Sequence, residues 1–306
     1  MSPGTGTDTG TGAGASTAPA SASASASARP GLPARLGSGG DGRPCKPSAA
    51  HPRPVVLVHG TWLDSAATWP ALAGHLTRRG YCVFALDYGR VPDAPGLAGL
   101  GPIDRSAREL ASFVRAVLAT TRARQVDIVG HSQGGLMPRY YLRFLGGARE
   151  VHTLVGLAPS NHGTAVLGLP TLTRYVPATA LLLRHPAVRQ QLAGSAFLRT
   201  LNRDGDTVPG VRYTVIATRF DETVVPYRSQ FLTGPNVDNI LIQDVCPVDP
   251  AEHWGLATAD PVAFRLVTNA LDPSHAAPAT CVPGDAEAVD RSEQADAARP
   301  DVPPHG

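Results

Sequence analysis

Several classes of protein are excluded by what the 306-residue chain has little of. Its 27 basic and 25 acidic residues nearly cancel, and no basic block or arginine stripe argues for a nucleic-acid partner. Its apolar runs are no longer than a β-strand, so we expect no transmembrane segment. The sequence has no clear carboxylate cluster, and we expect neither a metal nor any other cofactor.

Cysteine is also scarce, with only Cys45, Cys82, Cys246 and Cys281. None of them forms a Cys-x-x-Cys pair, so we expect no zinc or redox motif. Their spacing leaves all three disulfide pairings open, and four buried thiols of a cytosolic enzyme are the alternative. Two disulfides would be consistent with a secreted protein. Such a protein is exported with a signal peptide, yet the residues after Met1 offer neither a basic n-region nor an apolar h-region.

Both ends of the chain are poor in large apolar side chains. Residues 1–42 are mostly Gly, Thr, Ser, Ala and Pro, and residues 283–306 are rich in Pro, Ala and Asp. Such segments cannot bury enough apolar surface to offset the entropy of ordering, so we expect both to be disordered. The intervening residues 43–282 are enough for one α/β domain.

The middle of the chain alternates between strand and helix patterns. We predict strands near residues 54–58, 81–86, 126–129, 151–157, 213–218 and 239–245. We predict helices near residues 66–79, 104–120, 136–145 and 259–271. This order indicates an α/β fold with a mostly parallel sheet that is flanked by helices on both faces.

One long segment interrupts this alternation. Residues 163–205 follow the predicted strand 151–157, show no strand pattern of their own and contain many leucines. We interpret the segment as a helical cap inserted over the functional site. An ordinary pair of crossover helices is the alternative, since leucine-rich helices also fill protein cores.

The strongest chemical signal is the segment Gly130–Gly135, which reads Gly-His-Ser-Gln-Gly-Gly. A Gly-x-Ser-x-Gly motif between a strand and a helix is typical of a nucleophile elbow. The turn is sharp and neighbouring chain must approach it closely, so its outer positions favour glycine. We therefore predict that Ser132 is the nucleophile of a serine ester hydrolase and that the Gln133 N–H is an oxyanion donor.

The general base should be a histidine that follows the last strand. The three candidates by position are His253, His275 and His305. The last two lie in the proline- and alanine-rich tail, whereas His253 precedes the final predicted helix. We therefore predict His253 as the base.

The triad acid should come from a loop between the nucleophile and the base. Asp221 directly follows the predicted strand 213–218, at the carboxyl end where α/β sheets collect functional groups. We predict Asp221 as the acid, with Glu222, Asp244 and Asp249 as alternatives. Its role is to orient the imidazole and to stabilise the imidazolium.

The loop after the first predicted strand begins His59-Gly60-Thr61. In this architecture such a loop supplies the second backbone oxyanion donor, and we expect this to be the Thr61 N–H. His59 precedes the nucleophile in the chain, so we interpret it as a structural histidine that supports the loop.

Taken together, these segments resemble the class 2 lipase group of the α/β-hydrolase superfamily, in particular secreted actinobacterial lipases. The resemblance covers about residues 43–282 and rests on these segments: Cys45–Pro52, Pro54–Thr61, Gly80–Gly89, Gly130–Gly135, Asp221–Tyr227, and His253 followed by Asp260-Pro261. It implies the α/β-hydrolase fold and a triad of Ser132, Asp221 and His253, with Thr61 and Gln133 as oxyanion donors.

The resemblance also implies where the protein acts and on what. It implies extracellular hydrolysis of acylglycerols or shorter esters. The leucine-rich segment 163–205 would form an apolar acyl pocket or open at a lipid surface. It supports the pairing of Cys45 with Cys82 and of Cys246 with Cys281. An acyltransferase or a polyester hydrolase with the same triad is the nearest alternative, and a non-catalytic binding module on this fold is a more distant one.

Overall fold

The computed structural model describes residues 45–165, 183–279 and 281, together with Met1. Apart from Met1, the predicted disordered ends lie outside the described residues. So do residues 166–182 of the predicted cap. No helix in the described part of the chain is both long and apolar enough to cross a membrane.

Strands and helices alternate along the described residues. The strands are β1 (Val55–Val58), β2 (Val83–Leu86), β3 (Val126–His131), β4 (Val151–Leu157), β5 (Arg212–Ala217) and β6 (Val237–Leu241). The α-helices are α1 (Ser65–Thr68), α2 (Pro70–Arg78), α3 (Ile103–Thr121), α4 (Gln133–Phe144), α5 (Pro186–Gln190), α6 (Ala196–Asn202), α7 (Ile242–Val245), α8 (Gly255–Thr258) and α9 (Pro261–Leu271). Short 3-10 helices are Gly147–Arg149, Tyr227–Gln230 and Pro273–His275.

The six strands form one parallel sheet in the order β2-β1-β3-β4-β5-β6. The predicted parallel sheet is therefore confirmed. The chain first moves from β1 outward to β2 and then returns to the other side of β1 with β3. The strand order thus reverses at β1 and β3, and ligands of open α/β sheets bind outside the carboxyl ends of the strands at such a reversal.

Helices cover both faces of the sheet because side chains of a strand alternate between its two faces. Val56 and Val58 of β1 pack in a core with α3 and α4. Val55 and Leu57 of the same strand pack in a second core with α2 and α9. A strand that is buried on both faces has an uninterrupted apolar sequence, which is what made β1 recognisable.

The helix predicted over residues 66–79 is two helices in the structure. Helix α1 ends before Trp69, and α2 begins at Pro70. Proline has no N–H to continue a helix, but it fits the first turn of a new one. The fully buried Trp69 lies at this junction.

The last predicted strand, residues 239–245, is only partly correct. Strand β6 ends at Leu241, and residues 242–245 form the short helix α7. The side chain of Ile242 is buried in the core from within this helix. The misassigned residues read Ile-Gln-Asp-Val, which is too short for its periodicity to separate a strand from a helical turn.

All four cysteines pair in the way that the resemblance implies. Cys45 bonds to Cys82 and Cys246 bonds to Cys281, with Cα–Cα distances of 5.5 and 5.2 Å. The first bond ties the segment before β1 to the residue that precedes β2. The second ties the residue after α7 to the chain beyond α9.

These disulfides close loops of 37 and 35 residues in sequence separation. On the loop-entropy model, each should contribute about 4 kcal/mol to the free energy of unfolding. We expect Cys45→Ala/Cys82→Ala and Cys246→Ala/Cys281→Ala each to lose about that amount in denaturant titrations. Intact mass after alkylation should show no free thiol before reduction and four after it, and alkylation without reductant would contradict the pairing.

Candidate active site

The site is centred on the turn at Ser132, between β3 and α4. Ser132 has φ 54° and ψ −121°, in a region that residues with a side chain rarely adopt. Its N–H donates to the Leu157 carbonyl at 2.9 Å, which anchors the turn to β4. Helix α4 begins at the next residue, so its positive end lies close to the serine.

The glycines around Ser132 are required by close contacts of the backbone. A Cβ on Gly130 would overlap the Gly134 carbonyl, and a Cβ on Gly134 would overlap the Val58 carbonyl. Neither neighbour is a flexible side chain that could move aside. The requirement for glycine that the sequence motif suggested is therefore confirmed at both positions.

Asp221 and His253 meet at the carboxyl edge of the sheet. His253 Nδ1 donates to Asp221 Oδ2 at 2.9 Å, and both side chains are almost fully buried. Asp221 Oδ1 accepts the backbone N–H groups of Thr223 and Val224 at 2.8 and 2.6 Å. With its Nδ1 proton committed to Asp221, the neutral imidazole keeps a lone pair on Nε2.

The loop that carries His253 is tied to the serine turn through His131. The His131 Nε2–H donates to the His253 carbonyl at 2.9 Å, and the two ring centroids are 4.7 Å apart. Burial, with a further contribution from nearby His253, lowers the pKa of His131 well below its ordinary value. His131 is therefore neutral, and its Nδ1 has no partner among the described residues.

The alternative bases and acids lie elsewhere. His275 is exposed and pairs with Asp272, while His305 lies outside the described residues. Asp244 is exposed and faces Arg219 at 3.8 Å. Asp249 accepts the backbone N–H of Ala251.

Glu222 is the one alternative acid that contacts the His253 residue. Its carboxylate accepts the His253 backbone N–H at 3.3 Å and not a ring nitrogen. Among the four candidate acids, Asp221 alone is hydrogen-bonded to the imidazole in the described part of the chain.

The loop after β1 passes close to the serine. A Cβ built on Gly60 would lie 3.1 Å from the Ser132 Cβ. The next residue is Thr61, whose Oγ1 accepts the side-chain amides of Gln133 at 2.8 Å and of Gln191 at 3.0 Å. The backbone N–H groups of Thr61 and Gln133 donate to no acceptor in the residues that the structure describes.

His59 fixes the loop after β1 through hydrogen bonds of its ring. Its Nδ1 donates to the Gly60 carbonyl at 2.7 Å, and its Nε2 accepts the Tyr88 N–H at 3.4 Å. The Tyr88 ring stacks on the imidazole with centroids 4.3 Å apart. Burial lowers the pKa of His59, so the ring is neutral and both of its nitrogens are occupied.

A buried cluster of charged and amide side chains is centred on Arg139 of α4. Arg139 of α4 bonds to the Asp206 and Asn161 carbonyls and to the Asn202 side chain. Asp206 in turn accepts His162 Nε2 at 2.9 Å. The cluster joins α4 to both sides of the predicted cap, before it at residue 161 and after it at residue 206.

Comparison with known proteins places this site in a family. The family model for lipase (class 2) matches residues 52–253. The chain belongs to the class 2 lipase family. The matched range begins just before β1 and ends at His253, so it contains the serine turn, the Thr61 loop and Asp221.

Two relatives named lipase B share the region. The lipase B of Pseudozyma antarctica is 26% identical over 217 residues, which are 68% of this chain and 58% of that protein. The crystal structure of Aspergillus fumigatus lipase B is 26% identical, with a TM-score of 0.61 over 80% of this chain and 59% of that one. This chain thus spans less than two thirds of either relative. The likeness and the parallel sheet establish the α/β-hydrolase fold.

A third relative carries a different name. The homoserine O-acetyltransferase of Deinococcus radiodurans is 30% identical over 135 residues, which are 40% of this chain and 40% of that protein. Ester hydrolysis and acyl transfer on this fold share the step in which an acyl group reaches a serine.

Three buried side chains around the candidate site were not predicted from the sequence: Arg139, Gln191 and Gln230. Each lies outside any motif, and each finds its partners through the tertiary fold. Gln191, for example, contacts a threonine 130 positions earlier in the chain. Single-sequence patterns report local spacing, so they carried no signal for such contacts.

The buried cluster around Arg139 and Asp206 should make the stability of the protein depend on pH. Burial raises the pKa of Asp206, but hydrogen bonds from His162 and from Thr233 outweigh it, and the net pKa lies well below the ordinary value. A carboxylate of depressed pKa stabilises the fold above the unfolded-state value of about 4, and this is lost as the pH falls below it. We expect Asp206→Asn to lower the free energy of unfolding by about 3 kcal/mol at pH 7.

Urea titrations from pH 3 to pH 7 would measure this effect. The difference in the free energy of unfolding between the original chain and Asp206→Asn should become smaller as the pH falls below about 4. Asp204→Asn is the matched control, because Asp204 is exposed and only two residues away. A gap that stays constant across this range would contradict the prediction.

Proposed function

We propose that this protein is an extracellular serine ester hydrolase, a lipase or esterase that acts through an acyl-enzyme. In this proposal Ser132 is the nucleophile, His253 the general base and acid, and Asp221 the residue that orients His253. The observation that carries it is the buried Asp221–His253 hydrogen bond, which is tied to the strained turn of Ser132 by the bond from His131 to the His253 carbonyl. Membership of the class 2 lipase family supports the same chemistry.

The first half of the reaction forms the acyl-enzyme. His253 Nε2 takes the proton from Ser132 Oγ as that oxygen attacks the ester carbonyl carbon, and the carbonyl oxygen becomes an oxyanion. The imidazolium then gives its proton to the alkoxy oxygen as the carbon–oxygen bond breaks. Asp221 stabilises the imidazolium and takes no proton itself. The alcohol departs, and the acyl group stays on Ser132.

Water completes the cycle by the same route. His253 removes a proton from the water as it attacks the acyl carbonyl, and the proton then returns to Ser132 Oγ as the carboxylic acid leaves. Both tetrahedral intermediates carry negative charge on the same oxygen. Stabilisation of that charge is the main task of the surrounding donors.

The oxyanion is proposed to rest on the backbone N–H groups of Thr61 and Gln133. The Thr61 hydroxyl is proposed as a third donor, and a count of its hydrogen bonds supports this. Its Oγ1 already accepts two amide donors, from Gln133 and Gln191, and a hydroxyl has two acceptor sites and one hydrogen. No described residue accepts the hydroxyl hydrogen, which can therefore point toward the oxyanion.

Apolar side chains near the site support a substrate with an acyl chain or a lipid surface. Phe220 and Val225 are exposed and flank Asp221 closely in sequence. Leu97 is exposed beside Ala98, whose carbonyl accepts the Trp62 N–H. We propose that the described parts of the predicted cap, residues 163–165 and 183–205, contribute to the acyl pocket.

The two disulfides support an extracellular location. Disulfides persist in oxidising compartments and are rare in the cytosol of most organisms. Neither bond includes a residue of the proposed triad or oxyanion hole. The proposal of export rests on these bonds and on the named lipase relatives.

Acyl transfer is the second candidate, because of the similarity to a homoserine O-acetyltransferase. The same triad would form the same acyl-enzyme, and an alcohol would replace water in the second step. Measurement of the ratio of acid to new ester in the presence of an added alcohol separates the two functions.

The triad proposal predicts the outcome of active-site labelling. A phosphonate ester should react with the original chain at Ser132, and Ser132→Ala should prevent the labelling and lower kcat by about 10⁴-fold or more. His253→Asn should cause a loss of similar size, whereas His275→Asn should retain activity because His275 is exposed and pairs with Asp272. Equal labelling of Ser132→Ala would refute the nucleophile.

The proposed third oxyanion donor predicts a contrast between two substitutions of Thr61. Thr61→Val keeps the shape of the side chain but removes the hydroxyl, and should lower kcat by about 10²-fold with little change in KM. Thr61→Ser keeps the hydroxyl and should stay within several-fold of the original kcat. Equal kcat values for the two variants, with matched melting temperatures, would rule out a role for the hydroxyl.

A further inference from the structure

Asp221 is surrounded by hydrogen-bond donors beyond His253. Two backbone N–H groups bind Oδ1, as described above. Oδ2, which accepts His253 Nδ1, also accepts the side-chain amide of Gln230 at 2.8 Å. The oxygen that faces the imidazole is therefore shared between His253 and Gln230.

The chemistry of the carboxylate fixes the orientation of the Gln230 amide. An amide nitrogen donates to a carboxylate, whereas an amide oxygen in that place would repel it. Gln230 is fully buried, and its Oε1 has no partner in the described part of the chain. Burial of an unpartnered amide oxygen is unfavourable, so the position favours glutamine for its donor.

The backbone around Gln230 is held from the far side of the site. The Gln230 carbonyl accepts the Asn161 side-chain amide at 2.6 Å. Asn161 is bound by Arg139, which lies on the helix that begins directly after Ser132. A chain of hydrogen bonds thus runs from α4 through Asn161 and Gln230 to Asp221.

We propose that Gln230 is a positioning residue that sets how strongly Asp221 holds protonated His253. The inference rests on the proposed triad. A neutral donor on Oδ2 disperses part of the carboxylate charge and fixes the oxygen in the plane of the imidazole. If the donor is removed, Asp221 binds the imidazolium more tightly, and a higher pH is needed to free the base.

Two other titratable residues, Glu222 and His131, lie near His253, and substitution of Gln230 leaves both in place. Exposed Glu222 contacts only its backbone N–H, and buried His131 is neutral and bonds to its carbonyl. The described residues place no further ionisable side chain in hydrogen-bond contact with Asp221 or the His253 ring. If substitution of Gln230 shifts the pH dependence of kcat/KM, the shift would therefore report a changed interaction between Asp221 and His253.

The test is the pH profile of kcat/KM for Gln230→Met and Gln230→Leu, which both lack the donor. We expect the acid limb to move to higher pH by on the order of half a unit, which is about a threefold loss of rate well below the limb. The plateau should also fall, because the imidazole is less well oriented.

Gln243 provides the matched control. It is a buried glutamine whose amide bonds to Thr218 Oγ1 and to the Asp249 carbonyl, and it does not contact the triad. Gln243→Met and Gln243→Leu should leave the acid limb in place, whatever their effect on stability. A purely structural role of Gln230 would lower the plateau in the same way without moving the limb.

Labelling with a phosphonate separates this proposal from the triad on which it rests. If the original chain is not labelled at Ser132, the proposed function fails. If it is labelled, and either folded Gln230 variant keeps the original acid limb, the positioning role alone is overturned. Either variant suffices, since methionine and leucine fill the site differently and share only the missing donor.

Discussion

The backbone conformation of Ser132 is the constraint on which the rest of the site depends. A positive φ at a residue with a side chain costs about 1–3 kcal/mol, so the surrounding structure must hold it in place. The bond from Ser132 N–H to Leu157 and the glycine contacts on both sides do so. The same turn places Ser132 directly before α4, whose positive end would favour the negative charge that develops in the proposed reaction.

Around this turn the site is organised mainly by neutral amides. Gln133 and Gln191 meet on the Thr61 hydroxyl, and Gln230 meets Asp221. An amide can donate a hydrogen bond without adding net charge to a buried site. Among the described residues, no Lys or Arg side chain is hydrogen-bonded to Asp221 or to the His253 ring, so the proposed imidazolium would meet no competing cation there. The amide oxygens of Gln133 and Gln230 have no hydrogen-bond partner among the residues that the structure describes, which is unfavourable for buried polar atoms.

The sequence predicted the parts of the site that depend on local pattern. Ser132 lies in a motif, and Asp221 follows a β-branched strand that the structure confirms as β5. The prediction was wrong at residues 242–245, because a stretch of two apolar and two polar residues is too short to separate helix from strand by periodicity. The roles of Gln191 and Gln230 were not predicted for another reason. Their partners are distant in the chain, and a glutamine outside a motif gives no sign of which residue it will contact.

The fold also explains how an insertion can lie between β4 and β5 without disturbing the strand ends. Thr164 and Leu192 form an isolated parallel bridge, and the Ala193 N–H donates to the Thr164 carbonyl. The segment therefore leaves and returns at one place, and the entropy of closing such a loop grows only slowly with its length. Gln191 lies at that place and contacts Thr61. This contact joins the return of the segment to the loop that carries the proposed oxyanion donor Thr61.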